Sequence, residues 1–136
     1  MNFIMGSLLH RIKGVKSSSI SSGIKGNNSL DLSLISLIKG SSTAAVFTKN
    51  IFCAAPVLVA KNHIDFNIEA LLINSGNANA GTGKKGLEGC YKSCEILAKE
   101  LGIKPEQVLP FSTGVIGQSL PVCLLYTSDA ADICSV

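Results

Sequence analysis

The residues best suited to chemistry are the hydroxyls and glycines of residues 111–117, Phe-Ser-Thr-Gly-Val-Ile-Gly. Gly114 lets the chain turn without a Cβ clash and lets another group approach its backbone N–H closely. An accessible N–H beside the Thr113 hydroxyl supplies the two donors of an oxyanion hole, because both are in place before negative charge develops. A strand end followed by a glycine turn explains the same residues, and the spacing alone favours that simpler interpretation.

A second polar segment, residues 74–83, is rich in asparagine and glycine and follows the apolar run of residues 70–73. Because asparagine and glycine tolerate left-handed conformations, this composition predicts a tightly folded loop whose amides hold neighbouring backbone. A phosphate-binding P-loop is the competing interpretation. However, Ala78 stands where its first glycine belongs, and Lys85 stands where its hydroxyl belongs. We therefore expect a structural loop.

Together the two segments resemble the N-terminal half of the ornithine acetyltransferase family, which comprises glutamate N-acetyltransferases of arginine biosynthesis, some of them bifunctional. The similarity covers roughly residues 20 to 121, and the matching pieces follow the family's order. They are residues 22–25, 30–32, 45–50, 54–58, 73–80, 82–83 with 86–87, 101–103 and 112–117. Gly81 departs from the pattern, since many members are expected to have cysteine there, but no known role of the family depends on that thiol.

The resemblance implies transfer of an acetyl group from N-acetylornithine to glutamate, with acetyl-CoA as co-substrate in bifunctional members and no bound cofactor or metal. Precursors of this family cleave themselves before a threonine, which becomes the N-terminal nucleophile of the β chain. By residue match, the Thr113 hydroxyl and the Gly114 N–H take the family's oxyanion-hole role. The nucleophile and its cleavage motif are not in this sequence. We therefore expect part of an α chain, inactive alone, whose partner is its own β chain in an α2β2 heterotetramer.

Composition narrows the function classes. The 136 residues carry a net charge of +3, and 46% are hydrophobic, 15% charged and 5% aromatic. They predict one domain, or a piece of one, with an aliphatic core. The small, scattered charge is unlike a nucleic-acid-binding surface, and no apolar run approaches the ~20 residues of a membrane helix. With no basic segment typical of a signal peptide at the start, we expect a cytoplasmic protein.

Cysteines and histidines offer no second site. Five cysteines lie at irregular spacing without a Cys-x-x-Cys pair, and Cys90 and Cys94 share one side of a predicted helix. Since no histidine lies near them in sequence, we expect buried thiols in a reducing cytosol and no zinc site. His10 and His63 lie in segments without a partnered nucleophile, and we expect both at the surface.

The apolar pattern predicts a mixed α/β fold in which a mostly antiparallel sheet over residues 19–74 is covered by one helix over 86–101. By resemblance, this is a fragment of a larger self-processing acetyltransferase fold. We expect strands at 30–38, 43–48, 55–60 and 70–73, an edge strand or loop at 19–21, and a further strand at 107–109. The helix is predicted from one apolar stripe with Gly102 as its C-terminal cap, the stripe being Leu87, Cys90, Cys94, Leu97 and Leu101.

Three regions follow from these patterns: a weakly patterned segment at 1–18, a partial α-chain acetyltransferase domain at 19–122, and a non-native tail at 123–136. Residues 123–132 resemble the one-frame translation of a transposon-derived sequencing-library adaptor over ten consecutive positions. We therefore expect the tail to add nothing to the fold.

Two other function classes stay open at this point. One is a related self-processing aminopeptidase, which also uses an N-terminal nucleophile. The other is a non-catalytic binding domain. A lysine-glycine-x-threonine segment some tens of residues downstream in the gene would favour the acetyltransferase.

Overall fold

Four strands form one mixed sheet in the computed structural model, which describes residues 12–127. They lie in the order of the chain: β1 (Val15–Ile20), β2 (Leu32–Leu37), β3 (Ala70–Asn77) and β4 (Val108–Val115). The pairs β1–β2 and β2–β3 are antiparallel, whereas β3 and β4 run parallel. The predicted mixed fold with a mostly antiparallel sheet is confirmed, and β4 adds a parallel edge to it.

A long helix, α2 (Gly83–Leu101), connects the two parallel strands and covers the sheet. Its predicted apolar stripe is confirmed, because Cys90, Cys94 and Leu97 are buried while Leu87 and Leu101 pack half-buried against them. The helix begins three residues earlier than predicted. It ends as expected at Gly102, whose φ of 67° lets its N–H bond the carbonyls of the last turn.

Residues 55–60, predicted as a strand, instead belong to the helix α1 (Ala55–His63). Pro56 lies in the first turn, where its fixed φ suits the helix and its missing N–H costs nothing. The buried positions recur with helical spacing, as Ala55, Pro56, Val59, Ala60 and His63. The sequence of this segment is apolar on every side, so strand and helix were not separable by alternation.

Residues 43–48, also predicted as a strand, have no regular secondary structure. Strand-forming side chains give a strand only where a neighbouring backbone pairs with them. Here β2 is already paired on both sides, by β1 and β3, and Val46 is 99% exposed. This segment therefore forms no strand despite its β-prone composition.

His63, predicted at the surface, is buried in the last turn of α1. Its Nδ1 lies 2.8 Å from the Val108 carbonyl oxygen at the start of β4, and its ring lies 5.8 Å from that of Tyr91. The histidine joins α1 to β4 and α2, which is why it is not exposed. His10, the other predicted surface histidine, lies outside the described residues.

The main core lies between the sheet and the two long helices and is aliphatic, as the composition predicts. It combines leucines of β2 and β3 with Val59 of α1, Val108 of β4 and the buried stripe of α2. Leu125 of the four-residue helix α3 (Leu124–Thr127) joins this cluster and is buried. Val122 packs against the same cluster, and the expectation that the tail adds nothing to the fold stays a prediction.

Candidate functional site

Thr113 and Gly114 lie near the carboxyl end of β4, at the edge of the sheet where β3 also ends. The register places Ser75 opposite Thr113 and Gly76 opposite Gly114. Because parallel strands end at the same edge, backbone from both strands converges there. Thr113 is exposed, so its hydroxyl is accessible to a ligand at this edge.

Gly114 adopts a backbone conformation that only glycine accepts without strain, with φ at +134°. A Cβ at this position would collide with the carbonyl carbon of Gly76 and lie 2.7 Å from its oxygen and 2.6 Å from Asn77 N. The register shifts at this point, so that Asn77 faces both Thr113 and Val115. Such bulges re-aim the residues beside them, which here include Thr113 and Gly114.

The asparagine-rich segment 74–83, predicted as a loop, begins inside β3, because Asn74 to Asn77 are its last four residues. This segment holds the chain that follows Gly114. Asn74 donates from Nδ2 to the Asn77 carbonyl oxygen at 2.8 Å. Asn77 in turn donates to the carbonyl oxygens of Gln118 and Ser119, at 3.1 and 3.2 Å, and accepts from the Asn79 N–H. The prediction that these amides hold neighbouring backbone agrees with these contacts, and the backbone they hold flanks the candidate site.

Asn79 fastens the same loop to both helices. It is fully buried with φ at 46°, donates from Nδ2 to the Gly86 carbonyl oxygen at 2.9 Å, and accepts from the Thr82 hydroxyl. Its own carbonyl accepts the first N–H of α1, from Ala55. A Cβ at Gly86 would collide with Thr82 Oγ1 and Asn79 Oδ1, which explains the glycine. The sequence pattern did not single out these contacts.

Asp31 is a buried carboxylate that the sequence analysis missed. Its Oδ1 accepts from the Ser22 N–H at 2.6 Å and the Ser22 hydroxyl at 2.8 Å, and its Oδ2 accepts from the Lys25 N–H at 2.9 Å. Burial acts to raise its pKa, but the donated hydrogen bonds outweigh this and hold the pKa below the ordinary 3.8. The only sequence signal was one acidic residue at the start of an apolar strand.

His63 is too distant to serve as a base at this edge. It contacts Val108, which lies five positions before Thr113 along β4, or roughly 16 Å at ~3.3 Å per strand residue. Within residues 12–127, no three His, Cys, Asp or Glu side chains lie close enough together to hold a metal ion. None of the helices in this range combines the length and apolar character that crossing a bilayer requires. The oxyanion-hole role of Thr113 and Gly114 stays a prediction, and the structure places the two residues side by side at this edge of the sheet.

Two curated proteins with similar sequences carry the same name. The chain is 47% identical over 114 residues to the arginine biosynthesis bifunctional protein ArgJ of Pseudomonas syringae pv. tomato, covering 84% of this chain and 28% of that protein. It is 49% identical over 111 residues to the ArgJ protein of Methylococcus capsulatus, covering 82% and 27%. The chain therefore spans little more than a quarter of the length of these relatives.

Solved structures agree with this similarity. The arginine biosynthesis bifunctional protein ArgJ of Bacillus halodurans matches with a TM-score of 0.78 at 37% identity, over 83% of this chain and 60% of that one. Ornithine acetyltransferase of Mycobacterium tuberculosis, solved in complex with ornithine, matches with a TM-score of 0.82 at 32% identity, over 89% and 66%. The ArgJ family model matches residues 16–131, most of the sequence, and the chain belongs to the ArgJ family.

Proposed function

We propose that this chain is part of a glutamate N-acetyltransferase that moves acetyl from N-acetylornithine to glutamate in arginine biosynthesis. The observation that carries the proposal is the exposed Thr113 hydroxyl beside Gly114, whose backbone is held in a glycine-only conformation against Gly76. Membership of the ArgJ family supports acetyl transfer over the aminopeptidase and the non-catalytic binding domain.

In the proposed reaction, the hydroxyl of an N-terminal threonine outside this sequence attacks the acetyl carbonyl carbon of N-acetylornithine. The free α-amine accepts the hydroxyl proton, and the tetrahedral intermediate carries its negative charge on the former carbonyl oxygen. Collapse releases ornithine as the amine, with a proton, and leaves an acetyl ester on the threonine. The glutamate amine then attacks that ester, and N-acetylglutamate leaves while the threonine hydroxyl is regenerated.

Thr113 and Gly114 stabilise the negative oxygen in both halves of this reaction. Both donors are in place before the charge develops, because the β3–β4 register positions Thr113 and the contact with Gly76 positions Gly114. Removing one such donor typically lowers kcat by about 10²–10³. Acetyl-CoA is the alternative acetyl donor if the protein is bifunctional.

The remaining chain is proposed to cover apolar surface that this part leaves exposed. Four apolar side chains are each at least 66% exposed: Val46, Ile51, Phe52 and Ile116. Phe52 and Ile116 both lie within 4 Å of where a Cβ on Gly81 would stand. Contiguous exposed apolar groups, unlike single ones, mark contact surfaces. We assign the covering partner to the self-cleaved β chain, in an α2β2 assembly located in the cytoplasm.

The test is steady-state kinetics on the full-length protein and on its Thr113→Val variant, after confirming that both self-cleave. Valine keeps the shape and removes the donor, so kcat should fall by about 10²–10³ while KM changes little. Thr43→Val is the matched control, since the Thr43 hydroxyl is buried without a hydrogen-bond partner among residues 12–127. An unchanged kcat in cleaved Thr113→Val would remove Thr113 from the oxyanion hole, and a full-length protein without acetyl transfer would refute the function.

A further inference from the structure

Asp31 lies at the carboxyl end of β3, across from the candidate site. It is connected to Thr113 and Gly114 through its main chain and through its side chain. The first route is the main chain: the Asp31 carbonyl oxygen accepts the Ser75 N–H at 2.8 Å. Ser75 is the residue that faces Thr113 in the β3–β4 register. Asp31 thus touches the strand that positions Thr113.

The second route is the side chain, which folds the segment 22–25 over Gly76. The carboxylate accepts from the N–H groups of Ser22 and Lys25, and these bonds hold the segment in place. A Cβ on Gly76 would lie 2.9 Å from Lys25 Cγ and 3.1 Å from Ile24 Cγ2. The segment therefore rests directly on Gly76.

The position of Gly76 in turn limits where Gly114 can lie. The Gly76 carbonyl group and the Asn77 nitrogen occupy the space where a Gly114 side chain would stand. Because packed backbone is not freely compressible, a shift of segment 22–25 changes where Gly76, and then Gly114, comes to rest. A series of contacts thus connects the Asp31 carboxylate to Gly114 through segment 22–25 and Gly76.

A carboxylate suits this position better than its neutral isostere. It accepts three hydrogen bonds from Ser22 and Lys25 with both oxygens. An asparagine has one acceptor oxygen and an NH2 group, so at least one of these donors would face another donor. The two ion pairs among residues 12–127, Lys84–Glu88 and Lys92–Glu95, do not involve Asp31, so backbone and hydroxyl donors rather than a cation stabilise its charge.

We propose that Asp31 is a positioning residue for the oxyanion donors, holding segment 22–25 on Gly76 so that Gly114 and Thr113 keep the geometry needed for transfer. The kinetic part of this inference rests on the proposed function. The structural part does not, because the exchange of the backbone amides between Asp31 and Gly114 is measurable without any substrate.

The experiment compares the full-length protein with its Asp31→Asn and Asp65→Asn variants. Asp65 is exposed in the turn after α1, so its variant is the matched control for losing one carboxylate. In Asp31→Asn we expect kcat to fall on the order of 10- to 100-fold, as for a small misplacement of catalytic groups, with KM within about twofold of wild type. Asp65→Asn should match wild type in both constants.

Amide hydrogen exchange provides the second readout. In Asp31→Asn, exchange should quicken more at Ser75 and Ala78, whose N–H groups donate to the Asp31 and Val115 carbonyl oxygens, than at Val108, at the other end of β4. General destabilisation alone would quicken exchange by the same factor at all three amides. If Asp31→Asn does not fold, Ser22→Ala, which removes only the hydroxyl donor, should give the same local pattern more weakly.

Three results would overturn the proposal: wild-type kcat in folded Asp31→Asn, exchange at Ser75 and Ala78 that is unchanged in every folded variant, or exchange that quickens by the same factor at Val108. The last result would reduce Asp31 to a role in general stability. A wild-type protein without acetyl transfer would refute the proposed function, and exchange alone would then decide the role of Asp31.

Discussion

Gly114 in β4 lies against the backbone of Gly76 in β3, with no room between them for a single methyl group. Gly117, three residues later, also has a positive φ, +81° against +134°, but no atom lies within 4 Å of where its Cβ would be. A side chain at Gly117 would therefore meet backbone strain alone, whereas a side chain at Gly114 would meet strain and a collision with backbone.

Substituting these glycines with alanine should destabilise the protein to very different degrees. We expect Gly117→Ala to lower the free energy of unfolding by about 1–2 kcal/mol, the strain of a left-handed non-glycine residue. Gly114→Ala should lower it by more than about 3 kcal/mol, because β3 and β4 must also move apart. Urea unfolding followed by circular dichroism measures both, and equal losses would contradict the contact with Gly76.

The helix α2 was predictable because its sequence has one apolar stripe and a glycine cap, both of which are local signals. The helix α1 was not, since its residues are apolar on every side and a short apolar run is compatible with strand or helix. What decided its structure was packing against β4 and α2, as the burial of His63 at both of them shows.

The candidate site also has a part that the sequence predicts and a part that it does not. Thr113 and Gly114 are neighbours in one motif, so the sequence alone brings them together. Asp31 and Gly76 join them only through the pairing of β2 with β3 and of β3 with β4. Those pairings depend on register between segments some 40 residues apart, which no local pattern specifies.

The pKa of Asp31 predicts an acid-dependent stability. In the folded protein this pKa is below the ordinary 3.8, so stability is fully present above 3.8 and is lost as the pH falls through the lower folded value. Urea unfolding between pH 7 and pH 2 should show that loss, and Asp31→Asn should be about 1–3 kcal/mol less stable at pH 7 with a shallower acid dependence. Asp65→Asn should keep the wild-type slope; an equally steep slope in Asp31→Asn would contradict the assignment.

The cysteines should differ in their reactivity towards thiol reagents. Burial raises the pKa of Cys90 to about 12, and burial together with the nearby Cys90 and Glu95 raises that of Cys94 as well. Because the thiolate is the reactive form, both should stay unmodified at pH 8 until urea unfolds the protein. The exposed Cys123 should be alkylated in the native state. Peptide mass spectrometry after timed alkylation checks this, and native-state labelling of Cys90 at the rate of Cys123 would contradict its burial.

Leu125 tests whether the segment after residue 122 contributes to the fold. It is 7% exposed within the main core cluster, whereas Cys123, two residues earlier, is exposed. Truncating a buried leucine removes its transfer free energy and leaves a cavity, so Leu125→Ala should lower the free energy of unfolding by about 2–3 kcal/mol. Cys123→Ala, the control in the same segment, should change it by less than about 0.5 kcal/mol.

Ending the chain after Val122 should lower the free energy of unfolding by at least as much as Leu125→Ala, because it removes the same side chain and the turn that carries it. If truncation and Leu125→Ala both leave urea unfolding unchanged, residues 123–136 add nothing to the fold, as their adaptor-like sequence predicts. A loss in both variants with no loss in Cys123→Ala would show that the core uses Leu125 whatever the origin of the segment.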